Sequence, residues 1–467
     1  MPGPNRAEIP AKFDLEAALK DYKGDPAMSA GEAFDPSPKN IDARTERYTL
    51  ASGMKISLLS KKTRGGNVNA IISLHFGDVA GLQNKQAVAS LAGATLIHGT
   101  AHKNRQQIQD EIDRLKAQLN VSGGATGANV SIVTTHDNLP AVLRLAGEIL
   151  KEATISDTEF ELVRKQRITG LKNSKSEPQA LAPTRLQRAL YPFPAGDVRA
   201  TRTVEEQIAD VQAAKVEDAR AFYKNFYGAS HAELAVVGDF DPTEAKKAAS
   251  DLFGVWKSSA KYERIKTGFE KTPAINESIE TPDKANATFF AGMRLNVSDS
   301  DPDYPALVFG NFMLGGGFLN SRLATRIREK DGLSYGVGSV LSAKSFEKDG
   351  QFQVYAIAAP QNVAKVEAAF REETEKALKD GFTQKEVDDA RDGWLQSRVV
   401  QRAEDRSLAS LLATRDDDGR TFGWDEQLEA RVKALTQAEI TAAMRRNLDV
   451  SQISIVKAGD FKKAAGK

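Results

Sequence analysis

The 467-residue chain contains no cysteine, which removes disulfides, thiol nucleophiles and cysteine-held zinc from consideration together. Histidine is scarce as well, with 5 in the chain, so any metal would depend on those few imidazoles and on carboxylates. Neither sign of charge dominates. The 64 Lys and Arg face 63 Asp and Glu, a balance that gives no electrostatic reason to expect nucleic acid or an acidic membrane as partner. Long apolar runs are missing too: Leu234–Val237 and Val354–Ala359 fall far short of the roughly 20 residues that a membrane-spanning helix needs. Met1–Arg6 shows neither the basic start nor the continuous apolar stretch of a secretory signal. The chain is therefore expected either to stay inside the cell or to have been separated from a leader.

What is present organises itself by domain. Residues 1–43 carry Pro2, Pro4, Pro10, Pro26, Pro36 and Pro38, the composition of an extended arm, with one short helix expected over Phe13–Lys23. From Glu46 strand-like segments begin. Helical spacing follows at Gln86–Ile97, Arg105–Leu115, Leu139–Leu150, Asp157–Ser174 and Val216–Asn225, interleaved with short strands at Leu119–Ser122 and Asn129–Thr134. That is an α+β pattern. It occurs twice: Val211–Phe240 and Val432–Phe461 align without a gap, 7 of 30 residues are identical, and both end in Gly-Asp-Phe. The charged stretches beginning at Glu159 and Glu386 form a second such pair. Near-constant offsets of 221 and 227 residues imply two copies of one domain, 44–256 and 276–467, joined by a polar linker at 257–275 and related by a pseudo-twofold.

Two phrases carry a resemblance. GLQNKQAVASLAGATLIHGT in the first half and GGGFLNSRLATRIREKDGLSYGVGS in the second resemble the insulinase/pitrilysin peptidases, which include the mitochondrial processing peptidase, over about residues 44–461. The resemblance implies two homologous α/β-sandwich lobes, each with a mixed, mostly antiparallel sheet and helices on one face, together making half of a clamshell. In that family the active lobe binds zinc through an inverted H-x-x-E-H motif on a helix. The spacing sets two imidazoles one turn apart and a glutamate beside the metal-bound water. Counting back from Gly99-Thr100, the histidine positions hold Ser90 and Ala94, the glutamate position Gly93, and the third-ligand position Gly170. None of the four side chains can coordinate a dication.

The second half keeps what the first lost. Arg328 and Tyr335 lie seven apart in Arg-Glu-Lys-Asp-Gly-Leu-Ser-Tyr, the spacing of the family's Arg/Tyr pair. A helix over Asn320–Lys330 and a strand over Leu333–Ser339 would set them at a helix end and a strand start. A guanidinium there can bond a substrate carbonyl and a phenol can donate to a developing oxyanion, without any metal. The alternative makes Arg322, Arg326 and Arg328 ordinary solvated charges and Tyr335 a core aromatic. Gly315, Gly316 and Gly317 either let a substrate backbone approach or simply make a tight turn.

Other patterns carry less. His98 and His102 are four apart, but Gly99 and Thr100 between them mark a helix end and no glutamate accompanies them, so they read as solvated loop. His75, His136 and His231 stand isolated. Gly123–Gly127 reads as a hairpin connection, not a phosphate loop, and Asp416–Gly419 as a turn, not a calcium loop. The resemblance thus implies a chain without a cofactor of its own, working with a homologous zinc-bearing partner that has H-x-x-E-H on an unfolded peptide substrate. It also points to the bacterial periplasm. The competing expectation is a structural assembly subunit with no part in proteolysis.

Overall fold

The computed structural model describes residues 30–465; the helix expected over Phe13–Lys23 lies outside them. Eleven strands are described: β1 (Glu46–Thr49), β2 (Lys55–Ser60), β3 (Asn67–His75), β4 (Gln118–Gly123), β5 (Gly127–Thr135), β6 (Ala232–Gly238), β7 (Asn276–Glu280), β8 (Ala287–Leu295), β9 (Ser334–Ala343), β10 (Gly350–Ala358) and β11 (Ser454–Gly459). They form two open mixed sheets, ordered β1-β2-β6-β3-β5-β4 and β7-β11-β8-β10-β9. Only the β2–β6 and β7–β11 pairings run parallel. Without the short β1, the two orders are the same, element for element.

The helices repeat with the strands. Val216–Phe226 and Gln437–Asn447 have 11 residues each, and Pro178–Leu190 and Asp405–Asp417 have 13 each. Each helix pair preserves one of the sequence offsets, 221 and 227. Local chemistry repeats as well: Ser156 and Thr383 cap the long helices Asp157–Ser174 and Gln384–Ala403, each hydroxyl accepting from the backbone N–H three residues on.

Each lobe builds its main core between the inner face of its sheet and its own helices. The outer face is covered too, by a helix from the other lobe. Leu408, Ala409, Leu412 and Ala413 of Asp405–Asp417 pack on Leu59, Ala235 and Val237 of the first sheet. Reciprocally, Ala182, Leu186 and Leu190 of Pro178–Leu190 pack on Val456 and Ala458 of the second. This exchange explains why β6 is buried at all seven positions: a strand covered on both faces reads as a continuous apolar run instead of alternating. Residues from 30 onward join the same interface, where the short helix Pro38–Arg44 buries Ile41 and the Arg402 guanidinium donates to the Pro36 carbonyl at 2.8 Å.

Polar groups close the joint. Asp416 accepts from Ser57 at 2.5 Å, Lys61 pairs with Asp405 at 2.5 Å, and Arg185 pairs with Glu277 at 2.6 Å. The linker is bound into it: Thr267 and Gly268 donate backbone N–H groups to Glu347 at 3.0 and 2.8 Å, and Arg294, itself paired with the buried Asp349, donates to the Gly268 carbonyl.

Candidate functional site

Sequence reasoning places one half of the site on the helix Gln86–Thr95. Its backbone lies directly against the end of β4. A Cβ built on Gly93 would come within 2.4 Å of the Gly123 Cα, so two glycines facing each other permit the contact and no side chain of any kind fits at 93. Ser90 is partly exposed, Ala94 exposed, and Gly170, on the neighbouring helix Asp157–Ser174, faces open space. Tyr227 lies buried beside Gly123, its hydroxyl without a partner among the described residues, and burial pushes its phenol far above the ordinary value. Oxygen, methyl and bare backbone are all these four positions offer, which does not fit a zinc ion.

His98 and His102 do not converge either. His98 Nδ1 is 2.7 Å from Glu159 and His102 Nε2 is 2.9 Å from Glu152, so each imidazole is tied to its own helix and the loop between them is fixed by separate pairs. Gly123 and Gly127 flank a β4–β5 hairpin.

The other half of the expected site differs in geometry from the regular helix and strand that its sequence suggests. A π-helical segment over Ala324–Lys330 replaces the end of the helix expected at Asn320–Lys330, and a second runs over Phe312–Gly316. Wide turns of this kind rotate the following side chains out of α-helical phase. Three arginines lie on or beside the first segment. Arg322 is bound by Glu386 at 2.7 Å and Arg326 by Asp331 and Glu372 at 2.9 and 3.0 Å. Arg328 is exposed and has no hydrogen bond or ion pair among the described residues.

Tyr335 owes its position to a bulge. Ile357 opposes Gly336 while Ala358 opposes Ser334, so Tyr335 is the extra residue of β9. The Ser334 side chain holds this irregularity, its Oγ 2.7 Å from the Ile357 carbonyl and accepting from the Gly336 N–H at 3.1 Å. A bulge re-aims the residue it leaves unpaired, and Tyr335 is 76% exposed, which excludes a core aromatic. Sequence reading missed Ser334, since a small polar residue at a strand start carries no signal of its own.

The glycines at 315–317 face the protein itself. A Cβ on Gly315 would meet the Ser339 Oγ at 2.5 Å, one on Gly316 the Asn311 amide at 2.9 Å, and one on Gly317 the Phe312 carbonyl at 2.8 Å. Close packing within this segment by itself leaves no room for side chains at these three positions.

Sequence also overlooked a cluster at the joint between the lobes. His75, at the end of β3, is not isolated: its Nε2 lies 2.8 Å from Glu233 of β6 and 3.6 Å from Asp417. Asp417 belongs to an acidic run that closes the helix Asp405–Asp417, with Gly419 beyond it at φ +66°, and each of its three aspartates is bound: Asp416 by Ser57, Asp417 by Arg264, Asp418 by Ser345. Burial disfavours a charged His75, but Glu233 and Asp417 outweigh it and raise the pKa above the ordinary imidazole value. No spacing in the sequence could reveal this cluster, because its members come from two strands and from a helix of the other lobe.

The family model described as Peptidase M16 inactive domain matches residues 213–393. Over that stretch the chain is similar to the inactive domain of the M16 peptidases. Among its relatives is the "Uncharacterized zinc protease SCO5738" of Streptomyces coelicolor, 24% identical over 430 residues that cover 85% of this chain and 86% of the relative. The crystal structure of a peptidase M16 inactive domain from Pseudomonas fluorescens superposes with a TM-score of 0.79 at 24% identity, covering 89% of this chain and 97% of that one. The periplasmic protease PqqL from Escherichia coli gives a TM-score of 0.69 at 18% identity, and there 98% of this chain covers only 49% of the other. The M16 fold is thus present in full. The sequence holds no H-x-x-E-H anywhere among its 5 histidines, and the family model that matches it is the one described as inactive.

Proposed function

We propose that this chain is the non-catalytic half of a two-part M16 peptidase, and that it positions an unfolded peptide while a homologous zinc-bearing partner cleaves it. The carrying observation is the contrast between its two half-sites. Ser90, Gly93, Ala94 and Gly170 offer nothing that ionises water, whereas Arg328 has no partner among the described residues and Tyr335 is the unpaired residue of a bulge that Ser334 holds. An exposed guanidinium and phenol that the fold does not use internally are available to a carbonyl brought from outside. The match of this chain to about half of a longer periplasmic protease supports an assembly in which two such halves, in one chain or in two, enclose the substrate.

In this assembly the partner supplies zinc and general base, and Arg328 and Tyr335 orient and polarise the scissile carbonyl. The test mixes the purified chain with a zinc-bearing M16 partner and follows cleavage of an unfolded peptide. Arg328→Ala and Tyr335→Phe should each lower the rate by about 10²- to 10³-fold, as removal of an oxyanion donor does, and the chain alone should hydrolyse nothing. Unchanged rates in both variants would instead favour an assembly subunit with no part in proteolysis.

A further inference from the structure

We propose that His75, Glu233 and Asp417, with His231 beside them, form a divalent-metal site of the zinc type at the joint between the two lobes, separate from the vacated position on the helix Gln86–Thr95. The Nε2 of His75 and one oxygen from each carboxylate lie within 4.8 Å of one another. Zinc bonds of about 2.0–2.2 Å to nitrogen and oxygen set ligand atoms roughly 3.3 Å apart, so only small side-chain movements separate this arrangement from a coordinating one. At present one imidazole proton has to serve two carboxylates, at 2.8 and 3.6 Å. A dication in its place satisfies both.

The surroundings favour this occupant. Glu233 has a side chain only 4% exposed, and His75 is its sole side-chain partner among the described residues. Asp417 ends a 13-residue helix, whose carboxyl-terminal carbonyls present partial negative charge to a cation. Arg264 donates to both oxygens of Asp417, at 3.0 and 2.5 Å, and a carboxylate has lone pairs left for a metal while such a partner orients it. Lys55 takes the neighbouring Asp416 carbonyl.

A fourth donor is at hand in His231. The His75 N–H bonds the His231 carbonyl at 2.8 Å, continuing the β3–β6 ladder, so the two imidazoles stand opposite each other on one face, and Glu233 follows His231 by two residues on that face. The His231 ring makes no hydrogen bond among the described residues and stacks on Tyr262 at 4.2 Å. A cavity of about 450 Å³ lined by His75, Tyr262 and Arg264 gives an ion a way in. The bound ion would pin the end of the helix Asp405–Asp417 to the first sheet.

The test uses the full chain, stripped with chelator and titrated with zinc and, for its visible spectrum, with cobalt(II). One equivalent should bind, cobalt should give the strong visible bands of a four-coordinate site, and the melting temperature should rise with free zinc as binding to the folded state requires. His75→Gln and Asp417→Asn should each weaken binding at least tenfold, whereas His98→Gln and His102→Gln should leave it unchanged. Absence of stoichiometric binding to the wild-type chain overturns the proposal, and so does binding that survives in both His75→Gln and Asp417→Asn. A poorly folded variant does not obscure the result, because the wild-type cobalt spectrum and stoichiometry decide it separately.

Discussion

The two lobes share a strand order and matching helices, yet they depart from regularity in opposite ways. The first lobe keeps a regular α-helix at Gln86–Thr95 and has small, inert residues on it. The second breaks its helices at the corresponding edge into two π segments and bulges its edge strand at Tyr335. Their outer faces differ in the same direction: Asn120, Ser122 and Asn129 are exposed on β4 and β5, whereas Val340 and Tyr355 are exposed on β9 and β10 at 53% and 42%. One scaffold thus accommodates small side chains on a regular helix in one copy and π turns and a bulge in the other, because the shared cores and exchanged helices hold both.

That comparison can be broken most strongly at the exchanged helices. Leu412→Ala and Leu186→Ala remove side chains with no exposure from equivalent interlobe contacts; each should cost about 2–5 kcal/mol in denaturant unfolding. A cost confined to one of them would show that the lobes do not depend on each other equally. Next comes Gly93→Ala, whose Cβ meets the β4 backbone at 2.4 Å, with an expected loss of about 1–3 kcal/mol by overpacking. This also means that histidines and glutamate grafted at 90, 93 and 94 would not rebuild a zinc site on this backbone.

A smaller effect should appear in acid. Burial raises the pKa of Glu386, but Arg322 and the Thr383 N–H and hydroxyl outweigh it and hold it at about 2, below the ordinary 4.5. The stability this carboxylate contributes is complete above about pH 4.5 and is lost as pH falls toward 2. Glu386→Gln should therefore flatten that part of the acid-unfolding profile relative to the wild type and leave the slope near neutrality unchanged. The smallest effect is a gain. Gly170 is helical and faces open space, so Gly170→Ala should stabilise the fold by about 0.5–1 kcal/mol, the opposite sign to Gly93→Ala.

Much of the fold was legible because its signals are local. Helical periodicity located Arg105–Arg114 and Asp157–Ser174 to within a residue of their ends, and glycines marked the β4–β5 hairpin. The π segment at Ala324–Lys330 was not legible, because its residues have ordinary helical spacing and only packing against β9 decides how the turn winds. His75 looked isolated for a similar reason: its partners are 158 and 342 residues away in sequence.

By itself the sequence determined that the chain is a duplicated α+β unit and that no H-x-x-E-H exists to hold a catalytic zinc, since repeats and missing side chains are properties of the string. Tertiary structure alone decided that Gly93 has no room for a side chain, that Tyr335 is left unpaired by a bulge, and that the end of the helix Asp405–Asp417 meets His75 and Glu233. Those outcomes depend on which backbones touch, and contact between distant segments follows from the packing of the whole chain, not from any local pattern.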